Sequence, residues 1–468
     1  MDDFLREIQT SLFREWINNQ KRDYYHLHQS ETDPDAIIIE NEYCYSYVTF
    51  NPQCIIELCV MNKRTDEMAF YLHFQFKTLQ HAISLFEEMD QCIKKMIDQP
   101  ICRLLLCCSG GMTTAFFADK IKNGIKVLNL NMEVAATSYQ KIYNVAQNYD
   151  VILLAPQVSY VKLQVEKVFK NKLVLKIPTQ IFASYNVGAL ITFVEESLKH
   201  KENKYNGYVE PLASMMEIKT NKNVLAVSIN ANGENSHISY RLYNSHQDIV
   251  LDSNIIKSNI KLQDVLDALD TVVLQNEMID VISIALPGVM VEGNVYSGII
   301  EGGNHQLKER LEKRYEKEIY LINDVNAAVV GYYASQNEYK SLAFLFQPIG
   351  RMAGSGIVVN GQLVRGMDHL AGEVALLPLK LSDSYLNLAN TPEGTLELVT
   401  KNIMSIIAIV SPEAIVVYSD LILDSQDVSD EIKKSLSQYS LKVYPKIIKV
   451  ENILEYILLG TMILSAKE

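Results

Sequence analysis

The chain has 468 residues, of which 48% are hydrophobic and 21% are charged, and its formal net charge at pH 7 is -13. This length is too great for one hydrophobic core and predicts roughly three domains. The acidic balance argues against a nucleic-acid surface, which needs clustered lysine and arginine side chains.

The amino terminus and the apolar runs indicate where the protein works. Met1-Asp2-Asp3 is acidic, and no apolar signal-peptide core follows it. The longest uncharged apolar stretches, such as 456–466, are shorter than the roughly 20 residues that a membrane span needs. All seven cysteines lie within the first 108 residues, without metal-type spacing, which favours reduced thiols. The sequence therefore predicts a cytoplasmic α/β multidomain protein that binds no metal.

Residues 1–98 predict a small α+β domain. Apolar residues at helical spacing open it over 4–16, and a second helix over about 79–97 closes it. The strands predicted between them cover 36–39, 43–50, 55–61 and 69–76. One helix followed by strands does not match the helix-turn-helix of a repressor. The histidines that we interpret as structural or surface groups are His26, His28 and His73.

The most informative stretch is L-L-L-C-C-S-G-G-M-T-T at 104–114. An apolar strand ends at Cys108, a turn of small residues follows, and a helical pattern begins at Met112. Loop amides and a helix amino terminus that converge on Cys108 favour an anion there, and they favour the thiolate over the thiol. Such a thiolate suits a phosphocysteine intermediate. Strand alternation turns Cys107 to the other face, so we interpret Cys107 and Cys102 as buried structural cysteines.

Residues 99–200 resemble the lactose/cellobiose-type enzyme IIB domain of the bacterial phosphoenolpyruvate-dependent sugar phosphotransferase system. The motifs are C-S-G-G-M-T-T at 108–114, where the family has C-S-A-G-M-S-T, and D-V-I-L-L-A-P-Q-V at 150–158, where the family has D-V-V-L-L-G-P-Q-V. The resemblance implies a four-stranded parallel sheet and phosphorylation of Cys108 by a histidine of a IIA partner. A membrane IIC protein is a further candidate partner. The phosphate-binding loop that the resemblance implies comprises Ser109, Gly110, Gly111, Met112, Thr113, Thr114 and Gln157.

The segment 201–221 is polar and lysine-rich and predicts a linker. After it, residues 222–468 resemble the ROK family of sugar kinases and regulators, which have a two-lobed, actin-like (ribonuclease H-like) fold. The matching motifs are A-L-P-G at 285–288, L-I-N-D-V-N-A-A at 321–328, G-R-M-A-G-S-G-I-V-V-N-G at 350–361, R-G at 365–366 and A-G-E at 371–373.

The ROK resemblance implies a sugar site around Asp324. A strand is predicted to end just before the Asn323-Asp324 pair, where a carboxylate faces the interlobe cleft and can accept a hydroxyl proton as a general base. The alternative, that Asp324 caps the following helix, stays open beside it. Asn323 and Glu373 are the implied sugar-binding partners of Asp324. The implied remnants of a nucleotide side are Gly350, Gly354 and Gly356.

Four departures from the ROK pattern lie on that nucleotide side. The departing positions are Ser228, Asn230 and Ala231 in place of a D-x-G-G-T motif, Ala375-Leu376 in place of a metal-binding G-H, residues 416–420 in place of V-I-G-G-G, and Met352 in place of a hinge glycine. No cysteine follows Cys108, so the zinc cluster of the family is absent as well. The sequence therefore predicts a pseudokinase lobe that binds sugar but has no cofactor.

Three hypotheses follow, in order of preference. The first is a sugar-responsive regulator that a IIA protein phosphorylates on Cys108, with a ROK-like lobe that senses a sugar. The second is a IIB component that relays phosphate through Cys108 to a sugar. The third is an active sugar kinase that uses Asp324 as base and needs ATP and magnesium. The resemblance allows a homodimer, and the sequence does not identify the sugar.

Overall fold

The computed structural model describes residues 3–63, 67–98, 102–110, 112–128, 130, 132–169, 172–199, 220–232, 235–291, 294–296, 299–301, 307–367, 370–422, 424–437 and 444–467. Most of the predicted linker and Gly111 lie outside these ranges. Within them, no helix is long and apolar enough to cross a bilayer.

The N-terminal unit, residues 3–98, consists of antiparallel strands between two helices. Its elements are α1 (Asp3–Asn18), β1 (His26–Gln29), β2 (Ala36–Glu40), β3 (Cys44–Asn51), β4 (Ile55–Asn62), β5 (Glu67–Gln75) and α2 (Leu79–Asp98). The predicted helices and strands are confirmed within a few residues at each end. Only β1 was not predicted, because its sequence H-L-H-Q is mostly polar and exposed and lacks an apolar pattern.

The IIB-like region, residues 102–199, forms the predicted parallel α/β unit. Its elements are β6 (Cys102–Cys108), α3 (Met112–Val127), β7 (Met132–Ser138), α4 (Ile142–Val145), β8 (Val151–Leu154), α5 (Lys162–Val168), β9 (Leu173–Lys176), α6 (Thr179–Ser184) and α7 (Val187–Lys199). Its described strands pair in the order β7-β6-β8-β9, all parallel. The V-I-L-L run of β8 is buried throughout, as is typical of a strand covered on both faces.

The ROK-like region has two lobes. The elements of the first lobe are β10 (Val224–Asn232), β11 (Asn235–Tyr243), β12 (Ile249–Lys257), β13 (Ile260–Lys261), α8 (Leu262–Gln275), β14 (Val281–Leu286), β15 (Val289–Val291), β16 (Asn294–Tyr296), β17 (Ile300–Glu301), α9 (Leu307–Tyr315), β18 (Glu318–Asn323) and α10 (Asp324–Ala334). Those of the second lobe are β19 (Leu342–Phe346), β20 (Gly354–Val359), β21 (Gln362–Leu363), α11 (Tyr385–Leu388), α12 (Pro392–Ile409), β22 (Ala414–Tyr418), α13 (Ser425–Ser437) and β23 (Lys446–Lys449). The last helix, α14 (Leu454–Lys467), packs on α10.

The sheet of the first lobe continues into the N-terminal unit. The described strands pair in the order β1-β2-β3-β4-β5-β12-β11-β10-β14-β18, with Tyr71 of β5 opposite Ile256 of β12. The His73 ring and the Tyr240 hydroxyl lie 2.8 Å apart across this junction. Burial lowers the pKa of His73 to about 4, so the ring is neutral at pH 7. The N-terminal unit therefore shares one sheet and one hydrophobic core with the first lobe.

Partly buried ion pairs reinforce this junction. The Lys77 ammonium lies 2.6 Å from a carboxylate oxygen of Asp267 and 2.5 Å from one of Asp270, both on α8. Lys257, which is 3% exposed, contacts Glu88 of α2 at 2.6 Å. Since breaking a buried pair leaves an uncompensated charge, these contacts tie the N-terminal unit firmly to the first lobe.

The IIB-like region packs against the second lobe. Leu421, which follows β22, is 2% exposed and lies in the hydrophobic core of the IIB-like region, and Ile349, which follows β19, packs against the same core. The Tyr139 hydroxyl, just after β7, donates a hydrogen bond of 3.0 Å to Glu393 in the first turn of α12. We call Ile349, Glu393 and Leu421 the docking face of the second lobe.

Candidate functional site

Strand β6 brings Cys108 to the carboxyl end of the IIB-like sheet. Its apolar residues are buried, and the thiol that ends it is 6% exposed. Cys107 is fully buried on the opposite face, and burial raises the pKa of its thiol to about 12. Cys102 is also buried. Reactivity requires a thiolate, so Cys107 is held in the inert form and Cys108 is the nucleophile candidate.

A loop amide points at the Cys108 sulfur, as the sequence predicts. The Gly110 backbone N–H donates to Cys108 Sγ, with 3.2 Å between nitrogen and sulfur. Gly110 has a φ of 114°, a conformation that favours glycine, and a side chain there would meet no atom within 4 Å. This N–H stabilises negative charge on the sulfur, and α3 begins two residues later with its amino terminus at the loop.

The rest of the predicted phosphate-binding loop is described in part. Ser109 is exposed beside Cys108, while Gly111 and the side chains of Met112, Thr113 and Thr114 lie outside the described residues. Gln157 is exposed in the turn after β8. Because the Ala155 N–H donates to the Cys107 carbonyl at 2.9 Å, this turn lies at the same sheet edge as Cys108.

In the first lobe, Asn323 and not Asp324 caps α10. The Asn323 side-chain oxygen accepts from the backbone N–H groups of Val325 and Asn326 at 3.1 and 3.0 Å, and its amide donates to the Gly288 carbonyl at 3.1 Å. Strand β18 ends and α10 begins one residue away from the predicted positions. The alternative that Asp324 is the cap is therefore wrong, and Asn323 has a structural task.

Asp324 is the first residue of α10 and is buried, with 6% exposure. Burial raises the pKa of its carboxyl to about 6, the negative charge of Glu373 adds to the rise, and the Val325 N–H opposes it. A carboxyl with this pKa is ionised at pH 7 and well matched to accept a proton. Burial also raises the pKa of Glu373. The structure thus brings the two predicted sugar-site carboxyls within electrostatic reach of each other.

A glycine places Glu373 at this site. Gly372 has a φ of 93°, and a Cβ there would lie 1.9 Å from the Ser355 carbonyl oxygen. The Ser355 N–H in turn donates to the Gly372 carbonyl at 3.0 Å. Only glycine permits this close approach of the A-G-E loop to β20, which sets the position of the following carboxyl.

The three glycines predicted as nucleotide-side remnants have packing explanations here. A Cβ on Gly356 would lie 2.5 Å from the Val325 carbonyl, and one on Gly354 would lie 3.1 Å from the Val325 side chain, so both let α10 pack closely on β20. Gly350 has a φ of 64°, and its backbone packs closely against the Asn390 side chain. Their role toward a nucleotide stays a prediction.

The segment that departs from D-x-G-G-T is regular strand. Ser228 pairs with Ser239 of β11 and Ala285 of β14 in the middle of the sheet, and Asn230 continues the ladder opposite His237. Ser228 is fully buried, and its hydroxyl has no hydrogen-bond partner within the described part of the chain. No acidic group stands at this position, so these residues do not fit a magnesium–nucleotide. The described residues also contain no cluster of histidine, cysteine and carboxyl groups suited to a metal.

The sequence reasoning missed Tyr139 and Glu393, which join the two regions at the end of β7. Tyr139 follows Ser138, the register partner of Cys108 on β7. No local pattern could have revealed the contact, because its two residues are 254 positions apart.

Two family models match the chain. The model described as "PTS system, Lactose/Cellobiose specific IIB subunit" matches residues 103–192, and that of the ROK family matches residues 231–394. Both resemblances found in the sequence are thereby confirmed. A comparison with curated proteins finds no match.

Solved structures show likeness at low identity. A ROK family protein from Streptococcus pneumoniae TIGR4 in complex with sucrose is 17% identical, with a TM-score of 0.43, over 52% of this chain and 97% of its own. A ROK family transcriptional regulator, a homologue of the E. coli MLC protein, is 14% identical, with a TM-score of 0.41, over 70% and 95%. The lactose-specific IIB component domain from Streptococcus pneumoniae is 23% identical, with a TM-score of 0.19, over 20% and 95%.

Proposed function

We propose, from the premise that the chain joins a IIB region to a ROK region, that it is a cytoplasmic, sugar-responsive regulator. In this proposal a phosphorylated IIA protein transfers its phosphoryl group to Cys108, and the ROK-like region binds a sugar without phosphorylating it. The observation that carries the proposal is the Gly110 N–H directed at the Cys108 sulfur, at the carboxyl end of a parallel sheet.

The geometry supports the following chemical step for the proposed transfer at Cys108. The Cys108 thiol loses its proton, and the Sγ thiolate attacks phosphorus while the N–P bond of the donor phosphohistidine breaks. The leaving imidazole nitrogen keeps the electron pair of that bond and takes up a proton, so atoms and charge balance. The Gly110 N–H stabilises the thiolate before the attack and the adjacent negative charge after it.

Sugar binding is supported by two carboxyls, that of Asp324 in the first lobe and that of Glu373 in the second. The negative charge of Glu373 acts on Asp324, and burial desolvates both carboxyls. Carboxylates accept hydrogen bonds from hydroxyl groups and gain strength in a low dielectric. The strand segment at Ser228, which does not fit a magnesium–nucleotide, supports sugar binding without phosphoryl transfer from ATP.

The test is labelling with a phosphorylated IIA protein, followed by mass mapping of the modified residue. We expect label on Cys108, complete loss of label in Cys108→Ser, and full labelling in the matched control Cys107→Ser. Equal labelling of the two variants would show that the site assignment is wrong.

Two further measurements separate the regulator from its alternatives. Transfer of the label from Cys108 to a free sugar would instead support a IIB relay. Robust turnover of ATP with a hexose would support a kinase that uses Asp324 as base. The regulator predicts neither, together with a sugar-induced rise in melting temperature that Asp324→Ala abolishes, because a ligand that binds only the folded state stabilises it.

A further inference from the structure

The N-terminal unit contains a cleft at the end of its sheet where β1 and β3 begin and β2 and β4 end. It is bounded by residues 23–26, 40–43, Lys63 and Ile97, and we call it the N-terminal cleft. Its volume is about 420 Å³, and small-molecule sites typically measure about 300–1,000 Å³. Neither Cys108 nor Asp324 lines it, so a ligand in this cleft would occupy a separate site.

Hydrogen bonds of Asn41 hold the walls of the N-terminal cleft together. The Asn41 side-chain oxygen accepts from the backbone N–H groups of Tyr43 and Cys44 at 2.8 and 2.9 Å, which fixes the turn between β2 and β3. Its side-chain amide donates to the Tyr24 carbonyl at 3.1 Å, which joins this turn to the segment before β1. The Lys63 ammonium donates to the Asn41 carbonyl at 2.8 Å from the end of β4. The cleft is therefore formed before a ligand arrives, which lowers the entropy cost of binding.

The charges of the N-terminal cleft favour a cation. Asp23, Glu40 and Glu42 contribute three carboxyl groups to its lining. Lys63 contributes one ammonium group, which already contacts Glu40 at 3.2 Å. The exposed carboxylates of Asp23 and Glu42 have no ion pair or hydrogen bond with any described residue. Even a protonated ring of His26, which also lines the cleft, leaves the sum negative, so the cleft repels phosphate and attracts a positive charge.

Aromatic rings provide a second kind of contact for a cation. Tyr24, Tyr25 and Tyr43 line the N-terminal cleft. The face of an aromatic ring attracts positive charge, and organic ammonium groups are recognised in this way. Tyr24 already makes such a contact, because the Lys94 ammonium lies 5.3 Å from its ring centroid. The Tyr24 hydroxyl also donates to both carboxylate oxygens of Asp90 at 2.8 Å, which makes its ring richer in electrons.

We propose that the N-terminal cleft binds a small organic ammonium ion, held by the free carboxylates of Asp23 and Glu42 and by the tyrosine rings. The part of the chain that the structure describes has no group of side chains suited to a metal ion, which leaves an organic cation. Ile97, which packs against the core, offers apolar surface to its methyl or methylene groups. Because the N-terminal unit and the first lobe share one sheet and one core, an occupied cleft stabilises both.

The experiment is calorimetric titration of the full chain with choline at low salt. The comparison ligand is 3,3-dimethylbutan-1-ol, which has the shape of choline without its positive charge. We expect choline to bind about tenfold more tightly than this alcohol. Asp23→Asn combined with Glu42→Gln should weaken choline binding about tenfold. The matched control, Glu7→Gln combined with Glu31→Gln, removes the same number of exposed carboxylates outside the cleft and should leave binding unchanged.

A second pair of variants tests the aromatic contact. Tyr43→Leu should weaken choline binding about fivefold, whereas Tyr45→Leu, an exposed position outside the cleft, should not change it. Hydrogen–deuterium exchange locates the site, because choline should slow exchange in the peptides that cover 23–26 and 40–43.

Four outcomes would overturn the proposal. They are equal binding of choline and the alcohol, equal losses in the cleft variants and their controls, slower exchange at α10 in place of the cleft, and no choline binding at about 10 mM. The comparison of the two ligands uses the unaltered chain, so it decides the question even where a variant folds poorly. No donor protein is used and Cys108 takes no part, so failure here is distinct from failure of IIA labelling.

Discussion

Replacing Asp324 with Asn should stabilise the folded protein, by an amount that grows with pH. The folded-state pKa of Asp324 is about 6, against an ordinary value of 3.8, so the folded chain binds this proton more tightly than the unfolded chain does. Below pH 3.8 the group is neutral in both states and costs nothing. Above pH 6 it is ionised in both, and the cost reaches about 3 kcal/mol. At pH 5 the same difference in proton binding gives a cost of about 1.6 kcal/mol to the free energy of unfolding.

The assay is urea unfolding at pH 5 and pH 8, followed by the fluorescence of Trp16. This is the single tryptophan of the sequence, and it packs on Phe13 and Phe86 in the core that the N-terminal unit shares with the first lobe. Asn keeps an oxygen that can accept from the Val325 N–H, so the change isolates the charge. The exposed Asp119→Asn serves as control, with a change within about 0.5 kcal/mol. A gain that is equal at both pH values, or a loss at pH 8, would refute the reasoning.

Three further predictions concern packing and charge. In Gly460→Ala, the new methyl of α14 would lie 1.8 Å from the Ala327 carbonyl oxygen of α10. We therefore expect the free energy of unfolding to fall by about 1–3 kcal/mol or more. Gly188→Ala, in an open position of α7, should instead gain about 0.5–1 kcal/mol from helix propensity in the same urea measurement. Lys77→Met should cost about 2 kcal/mol at pH 7, because it removes the ammonium group that, after His81, helps to lower the carboxyl pKa of Asp267. That stability is present above pH 3.8 and is lost as the pH falls through the lowered pKa, so the difference between wild type and variant should shrink as the pH falls below 3.8; a constant difference would contradict this explanation.

The IIB-like region could be predicted closely because the features that define it lie close together in the sequence. The apolar run of β6, the small-residue turn and the start of α3 are contiguous, and the Gly110 N–H reaches Cys108 over two residues. The α10 cap was missed by one residue because Asn323 and Asp324 are both good caps and only the coordinates decide between them.

The remaining features depend on pairings between distant parts of the chain. Nothing in the sequence of β5 indicates that its partner strand is β12, some 185 positions later. The same holds for Tyr139 and Glu393, whose side chains are ordinary surface types in the sequence. The shifted pKa of Asp324 is also non-local, because it results mainly from burial by surrounding elements and then from the charge of Glu373.

The pairing of β5 with β12 has a consequence for how the protein is made. Ribosomes add about 5–20 residues per second, so roughly 10–40 s pass between emergence of Tyr71 and emergence of Ile256. During that interval the IIB-like region can be completed, while the edge of β5 that faces away from β4 has unpaired backbone groups, a condition that favours mispairing between nascent chains. Slow codons should therefore harm the yield of this protein most when they lie between residues 76 and 249. Reduced chaperone capacity should have its largest effect while the same segment is being translated.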